Sequence, residues 1–372
     1  MTNIRRHIML KVVYVINHAG KGGSENYVYS LIERLHGKVA ECYLVYNEDG
    51  QLVERVKKLG VKIYNIKMRN PFDFKAARKL AVLCKQLEID VIHSHFLREN
   101  YIAVLSKLFN PKIKTIYTNH VPMRNNLPTR FFNRVFTSFN DGVIAVYKKG
   151  KDVLESNWVN SKKIHVIFNS IDVDYWNNAE QSTIRQELNI GKDEFVISCM
   201  ARFTEEKGQR FLIEGIKTLK NSTSRKFKCI LGGDGPLLTE CKDLVKQYAL
   251  EQQVIFTGHR QDMKNIYHGI DLYVSPSKNE AMSYSIIEVL ACGVPVIATN
   301  VGGCGDIIND NTKCGLIVEY GDTEELANTI NKMMTDKELY DSLKSNTVAV
   351  IRENFNIDKM VKETYNLYIS DD

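Results

Sequence analysis

The residues best suited to chemistry lie in one run, Ser275-Pro-Ser-Lys-Asn-Glu280-Ala-Met-Ser-Tyr-Ser-Ile-Ile-Glu288-Val-Leu-Ala-Cys-Gly-Val-Pro-Val-Ile-Ala-Thr-Asn-Val-Gly-Gly303. Glu288 falls among Ile286, Ile287, Val289 and Leu290 in a stretch of helical character. A carboxylate on an otherwise apolar helix is unfavourable unless it meets hydrogen-bond donors, and ribose hydroxyls are such donors. Glu280 precedes that helix, on a loop from which it can reach a sugar. The helix N-terminus, Met282, Ser283, Tyr284 and Ser285, would aim backbone N–H groups at the same ligand.

Two further loops fit a phosphate-bearing ligand. Ala201-Arg-Phe-Thr-Glu-Glu-Lys-Gly208 follows an apolar run and precedes a helical one. If it folds back, Arg202 and Lys207 converge on one anion, as neutralising a departing diphosphate requires; a merely solvated charged loop is the alternative. His18-Ala-Gly-Lys-Gly-Gly-Ser-Glu25 has the same setting, and Gly22 and Gly23 there allow close backbone approach to phosphate. It is not GxGxxG, and no acidic ribose ligand follows a second strand, which argues against a nicotinamide cofactor. A plain tight turn remains open.

The elements that must position these loops read as alternating strands and helices, the signature of parallel sheets. In the first half the strands expected are Lys11–Ile16, Glu41–Tyr46, Lys62–Ile66, Val91–His93, Lys114–Thr118, Gly142–Ala145 and His165–Ile167, with helices such as Glu25–Leu35 and Phe74–Leu87 between them. The second half repeats the scheme with strands Phe195–Met200, Lys228–Gly232, Val254–Thr257, Leu272–Val274, Val294–Ala298 and Gly315–Ile317. Its helices are Gly208–Leu219, Pro236–Tyr248, Met263–His268 and Ser285–Ala291. Polar, Asn-rich Asn169–Asp193 is expected to be a linker, and Asp358–Tyr368 a closing helix.

At 372 residues the chain has room for two domains, each with its own core. Val12–Ile16 is too short for a signal segment or a membrane span, and no later stretch is long and apolar enough to span. The eight cysteines show no CxxC pair and sit mostly in apolar runs, which suits reduced thiols in a cytoplasmic protein rather than zinc or disulfides. Residues 1–180 hold 28 Lys and Arg against 16 Asp and Glu, whereas residues 181–372 hold 22 against 28. The basic first half suits an anionic acceptor or membrane surface, although drift of surface charge would give the same asymmetry. Scattered lysines without a recognisable module argue against nucleic acid.

The run from Glu280 through Glu288 to Ala-Cys-Gly-Val-Pro-Val-Ile-Ala-Thr and Gly302-Gly303 resembles the signature of glycosyltransferase family 4. Gly22-Gly-Ser-Glu25, Asp90-Val-Ile-His-Ser-His95, Asn119-His120, Asn169-Ser-Ile-Asp172, Arg202 to Gly208 and Gly232-Gly-Asp-Gly-Pro236 agree in order and spacing. The resemblance spans nearly the whole chain. It implies the GT-B architecture: two Rossmann-like α/β domains facing across a cleft, with a C-terminal helix crossing back to the first. Residues 1–172, joined by helix 354–372, would form the acceptor side; residues 173–353 would form the nucleotide-sugar side. It also implies a retaining transferase that needs no metal and no cofactor beyond its nucleotide-sugar co-substrate, most simply a UDP-sugar, and acts on a glycan or lipid-linked acceptor. Gly22 and Gly23 would approach the phosphates, Arg202 and Lys207 would hold the diphosphate, Glu280 the sugar and Glu288 the ribose. The amides of Met282 to Ser285 would bind sugar or phosphate oxygens, His120 would lie near the reacting sugar, and the loop Gly258-His-Arg260 beside the base. Ala201, Ala281 and Ser170 replace frequent glycines of the family, and Asp306 a frequent glutamate. A sugar-nucleotide epimerase and a non-catalytic partner subunit are the competing functions.

Three features pull elsewhere. Asp172-Val-Asp174 fits the metal-binding DxD pattern, but in what would be the domain crossover. His93 and His95 are expected to point to opposite sides of a strand end, too divergent to share a metal. Met123–Phe139 mixes Arg124, Arg130 and Arg134 with Phe131, Phe132, Val135, Phe136 and Phe139. That composition suits an interfacial helix or, by a small margin the preferred reading, a core-facing helix with its arginines in solvent.

Overall fold

The computed structural model describes residues 9–20, 22–121, 123–178 and 181–370. The chain divides into two compact units, Met1–Asn169 with Ile357–Asp372, and Ser170–Asn356.

The first unit carries seven strands: β1 (Leu10–His18), β2 (Ala40–Glu48), β3 (Lys62–Asn65), β4 (Val91–His95), β5 (Lys114–Asn119), β6 (Gly142–Ala145) and β7 (Ile164–Val166). Every pairing is parallel, in the order β3-β2-β1-β4-β5-β6-β7. Val12 to Ile16 of β1 are fully buried, as a central strand covered on both faces requires. Strand order reverses between β1 and β4, so the loops after those strands diverge and leave a crevice at their C-terminal ends. The last helix, Ile357–Ile369, belongs to this unit. Tyr368 bonds His93 at 2.5 Å, and Asp358 pairs with Arg34 at 3.4 Å.

The second unit has six parallel strands: β8 (Phe195–Met200), β9 (Phe227–Gly232), β10 (Val254–Gly258), β11 (Leu272–Ser275), β12 (Val296–Thr299) and β13 (Gly315–Val318). Their order is β10-β9-β8-β11-β12-β13, with the reversal between β8 and β11. The loops at that switch point are 201–208 and 276–283, the two that carry Arg202, Lys207 and Glu280. All eight cysteines are free thiols, and burial pushes those of Cys42, Cys84, Cys199 and Cys304 up to about 12.

Every expected strand is present, eight of the thirteen running one to three residues longer than expected. The linker expectation needs correction. Within 169–193 lie short helices Val173–Asn177 and Ile184–Glu187, and both Val173 and Ile184 are buried. Arg185 ties the segment down by donating to Gly269 O (2.8 Å) and pairing with Asp271. Polar composition hid a stretch in which Asp172, Ser182, Thr183 and Arg185 spend their side chains on internal bonds.

The 127–137 helix also departs from the preferred reading. Its buried residues are Asn133 and Thr137, and Asn133 accepts from Tyr101 Oη at 2.7 Å. Phe131, Phe132, Val135 and Leu127 are exposed. The helix thus turns its polar face inward and most of its apolar face outward. Among the described residues no helix is long and apolar enough to cross a membrane.

Candidate active site

In the second unit backbone bonds tie neighbouring loops to one another at the C-terminal end of the sheet. Lys278 N and Asn279 N donate to Glu206 O at 2.8 and 3.3 Å. Gly303 N donates to Ala281 O at 2.6 Å, and Gly233 N to Gly258 O at 2.7 Å. Gln209, which the sequence reading passed over, ties the Arg202 loop to its own helix by donating to Ala201 O and Arg202 O at 3.3 and 3.0 Å. Two glycines make the approach possible. Gly208 has φ +66°, and a Cβ there would lie 1.9 Å from Pro276 O; Gly302 has φ +51°, and its Cβ would lie 1.8 Å from Glu280 O. No other residue fits either place without moving the backbone.

This lacing brings Lys207 and Glu280 into an ion pair, Nζ to Oε2, with Glu280 the more buried partner. Arg202 is exposed and forms no ion pair with a described residue. One cation is therefore held by the glutamate and another is free to meet an anion.

Glu288 lies on the Tyr284–Ala291 helix, half-buried near the buried rings of Tyr267 and Tyr273. Burial pushes its carboxyl up to about 7, and no cation or hydrogen bond from a described residue offsets that shift. The apolar neighbours read in the sequence are all buried, so the charged carboxylate is costly, and no donor among the described residues relieves it. Ser283 is the N-cap in extended conformation, and Met282 and Ser283 are buried. Arg260 is committed differently: its guanidinium grips Glu187 and Asp262, the latter at 2.6 Å. Those bonds hold the Asp262 carboxyl down at about 2. The guanidinium is thus committed within the protein rather than open to a base.

In the first unit Gly22 is the N-cap of the Gly23–Leu35 helix. Its φ of −172° is ordinary extended backbone, so conformation does not demand glycine. Nor does space: the nearest atom to a Cβ would be Glu25 Oε2 at 2.8 Å, the movable end of a side chain folded back over the helix start. Gly23 opens the helix itself; Lys21 lies outside the described residues.

His120, at the end of β5, is half-buried, and burial lowers its imidazole to about 3. His95 Nδ1 lies 3.1 Å from His120 Nε2, with the rings stacked at 5.4 Å. Tyr27 sets its ring edge-on against both, at 5.7 and 5.3 Å. The expectation for His93 and His95 was wrong. Residues two apart on a strand share a face, and the two rings lie 4.5 Å apart. That spacing was the available signal for His95 as a partner of His120. His93 bonds Thr118 Oγ1 at 2.7 Å and Tyr368 Oη, so it is a satisfied interior group. Asp172 of the DxD pattern caps a helix by accepting from Tyr175 N at 3.0 Å, and Asp174 pairs with Arg352 at 2.8 Å.

Known proteins share this fold. The family model described as Glycosyltransferase Family 4 matches residues 21–175, and that described as Glycosyl transferases group 1 matches residues 180–349. The chain belongs to glycosyltransferase family 4. The transferase is 25% identical to N-acetyl-alpha-D-glucosaminyl L-malate synthase of Bacillus anthracis, over 83% of this chain and 82% of that one. It is 24% identical to a Campylobacter jejuni N-acetylgalactosamine-N,N'-diacetylbacillosaminyl-diphospho-undecaprenol 4-alpha-N-acetylgalactosaminyltransferase, over 91% of this chain and 93% of that one. Among solved structures it resembles a glycosyltransferase from Rickettsia africae, with TM-score 0.87, 22% identity and coverage of 97% and 98%. It likewise resembles HepE of Anabaena in complex with UDP, with TM-score 0.84, 20% identity and coverage of 96% and 99%. The two sheets of the transferase are thus those of the GT-B fold.

Proposed function

We propose that this glycosyltransferase takes its sugar from a UDP-sugar and transfers it, with retention and without a metal, to a hydroxyl of a glycan or lipid-linked acceptor. The observation that carries the donor assignment is the Lys207–Glu280 pair at the switch point of the second sheet, with unpaired Arg202 and unrelieved Glu288 on neighbouring loops. Ligands of open α/β sheets bind at such a point. Arg202 and Lys207 take the diphosphate, Glu280 and the amides of residues 282–285 take the sugar, and Glu288 takes the ribose hydroxyls. Gly22 and Gly23 leave room for phosphate oxygens, and the 258–260 backbone borders the base. The UDP bound to the Anabaena relative favours a uridine nucleotide.

Glu280, the carboxylate assigned to the sugar, is held by Lys207, which argues against its acting as a covalent nucleophile. The reading is therefore a front-face displacement. The C1–phosphate bond breaks and the C1–acceptor bond forms on the same face, while the acceptor hydroxyl gives its proton to the departing phosphate oxygen. A lipid-linked acceptor, as the Campylobacter relative's name describes for that protein, would bring the transferase to the inner face of an anionic membrane.

The test is a thermal-shift and turnover screen across UDP-, GDP- and ADP-sugars, with Mg²⁺ or with chelator. Stabilisation by uridine nucleotides alone, equal in both buffers, is expected. Preference for another base, or a loss with chelator, would overturn the donor or the metal assignment respectively. Trapping a glycosyl group covalently on Glu280 would sink the front-face route.

A further inference from the structure

We infer that the outward face of the 127–137 helix is a docking surface for an anionic lipid bilayer. Leu127, Phe131, Phe132, Val135 and Phe139 are all exposed, Phe131 and Phe139 at 56% and 57%. Phe72, reaching in from another loop, sets its ring 4.9 Å from Phe132 and widens the same patch. Scattered exposed apolar residues are ordinary, but a contiguous aromatic cluster on one face marks an interaction site. The helix is held from behind by its polar residues, Asn133 to Tyr101 and Thr137 Oγ1 to Asn133 O. The aromatic face is therefore not borrowed from the core.

Charge selects the occupant. Arg134 is exposed on the helix itself and Arg124 two residues before its N-cap, and Arg130 lies 4.7 Å over the Trp158 ring. Between residues 101 and 150 the only acidic residue is Asp141, and Lys107 neutralises it at 2.9 Å. Asp73, behind Phe72, turns its carboxylate to the amides of Ala76 and Arg69. Aromatics flanked by arginines, without a free carboxylate among them, match an interfacial helix lying among anionic headgroups. A second copy of the chain would have to bring the same arginines face to face across a two-fold interface.

The inference rests on the lipid-linked acceptor reading for its purpose, but not for its test. The full chain is floated with vesicles of phosphatidylcholine alone or mixed with phosphatidylglycerol. Binding to the mixed vesicles only, weakened by salt, is expected. F131S with F139S should lower partitioning at least about tenfold. R124E with R134E should do the same, each arginine near the surface counting for roughly fivefold. All four positions are exposed, so unchanged melting and unchanged turnover of a soluble acceptor should accompany the loss. Failure of nucleotide turnover in every variant and in the parent would instead strike the transferase reading. The proposal is overturned if the parent ignores the anionic vesicles, if the substitutions leave binding intact, or if light scattering shows a dimer that F131S with F139S dissociates.

Discussion

Nδ1 of His95 and Nε2 of His120 face each other at 3.1 Å between two imidazoles that burial keeps neutral. One must donate and the other accept. His95 Nε2 is buried without a partner among the described residues, and an orphaned buried N–H is rarer than an orphaned acceptor. The proton of His95 therefore belongs on Nδ1, which makes His120 the acceptor at Nε2 and leaves its own proton on Nδ1. His95 is a positioning residue that fixes both the ring plane and the tautomer of His120. His95→Ala should lower kcat by roughly ten- to hundredfold, the scale of a misplaced group, with the donor KM little changed. His95→Asn, which keeps an N–H donor, should recover part of it. Equal kcat in parent and His95→Ala would remove this role.

Arg202 and Lys207 differ in how they are held, and their variants should differ accordingly. Each truncation to Ala should cost about 10²-fold or more in turnover, the scale for one lost donor to developing negative charge. Lys207→Ala also strips the cation from a mostly buried Glu280, so it should lower the melting temperature as well. Exposed Arg202 should leave stability untouched. Near-normal rates in both variants would refute the diphosphate assignment.

Gly208 and Gly258 share the same φ, +66°, yet only Gly208 faces a backbone oxygen. Gly258→Ala should carry only the left-handed penalty, about 1–2 kcal/mol. Gly208→Ala must also push the Pro276 carbonyl away and with it the Glu280 loop. A larger drop in urea midpoint is expected for Gly208→Ala, and a weakened nucleotide affinity with it. Matching losses at the two sites would show that the loops are not held by this contact.

Strands were legible because parallel strands buried on both faces read as continuous apolar runs, and β6 and β8 match their expected limits. The Lys207–Glu280 neighbourhood was legible only as two separate loops. Nothing in the residues 207 and 280, far apart in sequence, announces an ion pair; it depends on Gly208 and Gly302 admitting a foreign backbone. His95 was misread because the two-residue period of a strand was applied with the wrong parity. The 127–137 helix shows the general difficulty. Its spacing fixes which residues share a face, but which face turns inward depends on Tyr101 offering a hydroxyl to Asn133, a partner 32 residues away.

Glu288 gives the site a pH signature. Its folded carboxyl titrates at about 7, above the ordinary carboxyl range, because burial penalises the charge. A raised carboxyl contributes stability below the unfolded carboxyl pKa and loses it as pH rises through about 7. Hydroxyl donors from a ribose would favour the ionised form and pull the value down. Nucleotide binding near pH 7 should therefore release a fraction of a proton, and affinity should rise with pH until the free carboxyl is fully ionised. Calorimetry in two buffers of different ionisation enthalpy reads that release directly. Glu288→Gln should abolish it and weaken binding by roughly ten- to hundredfold, as expected for hydrogen bonds to a charged group. If proton release persists in Glu288→Gln, the ribose contact lies elsewhere.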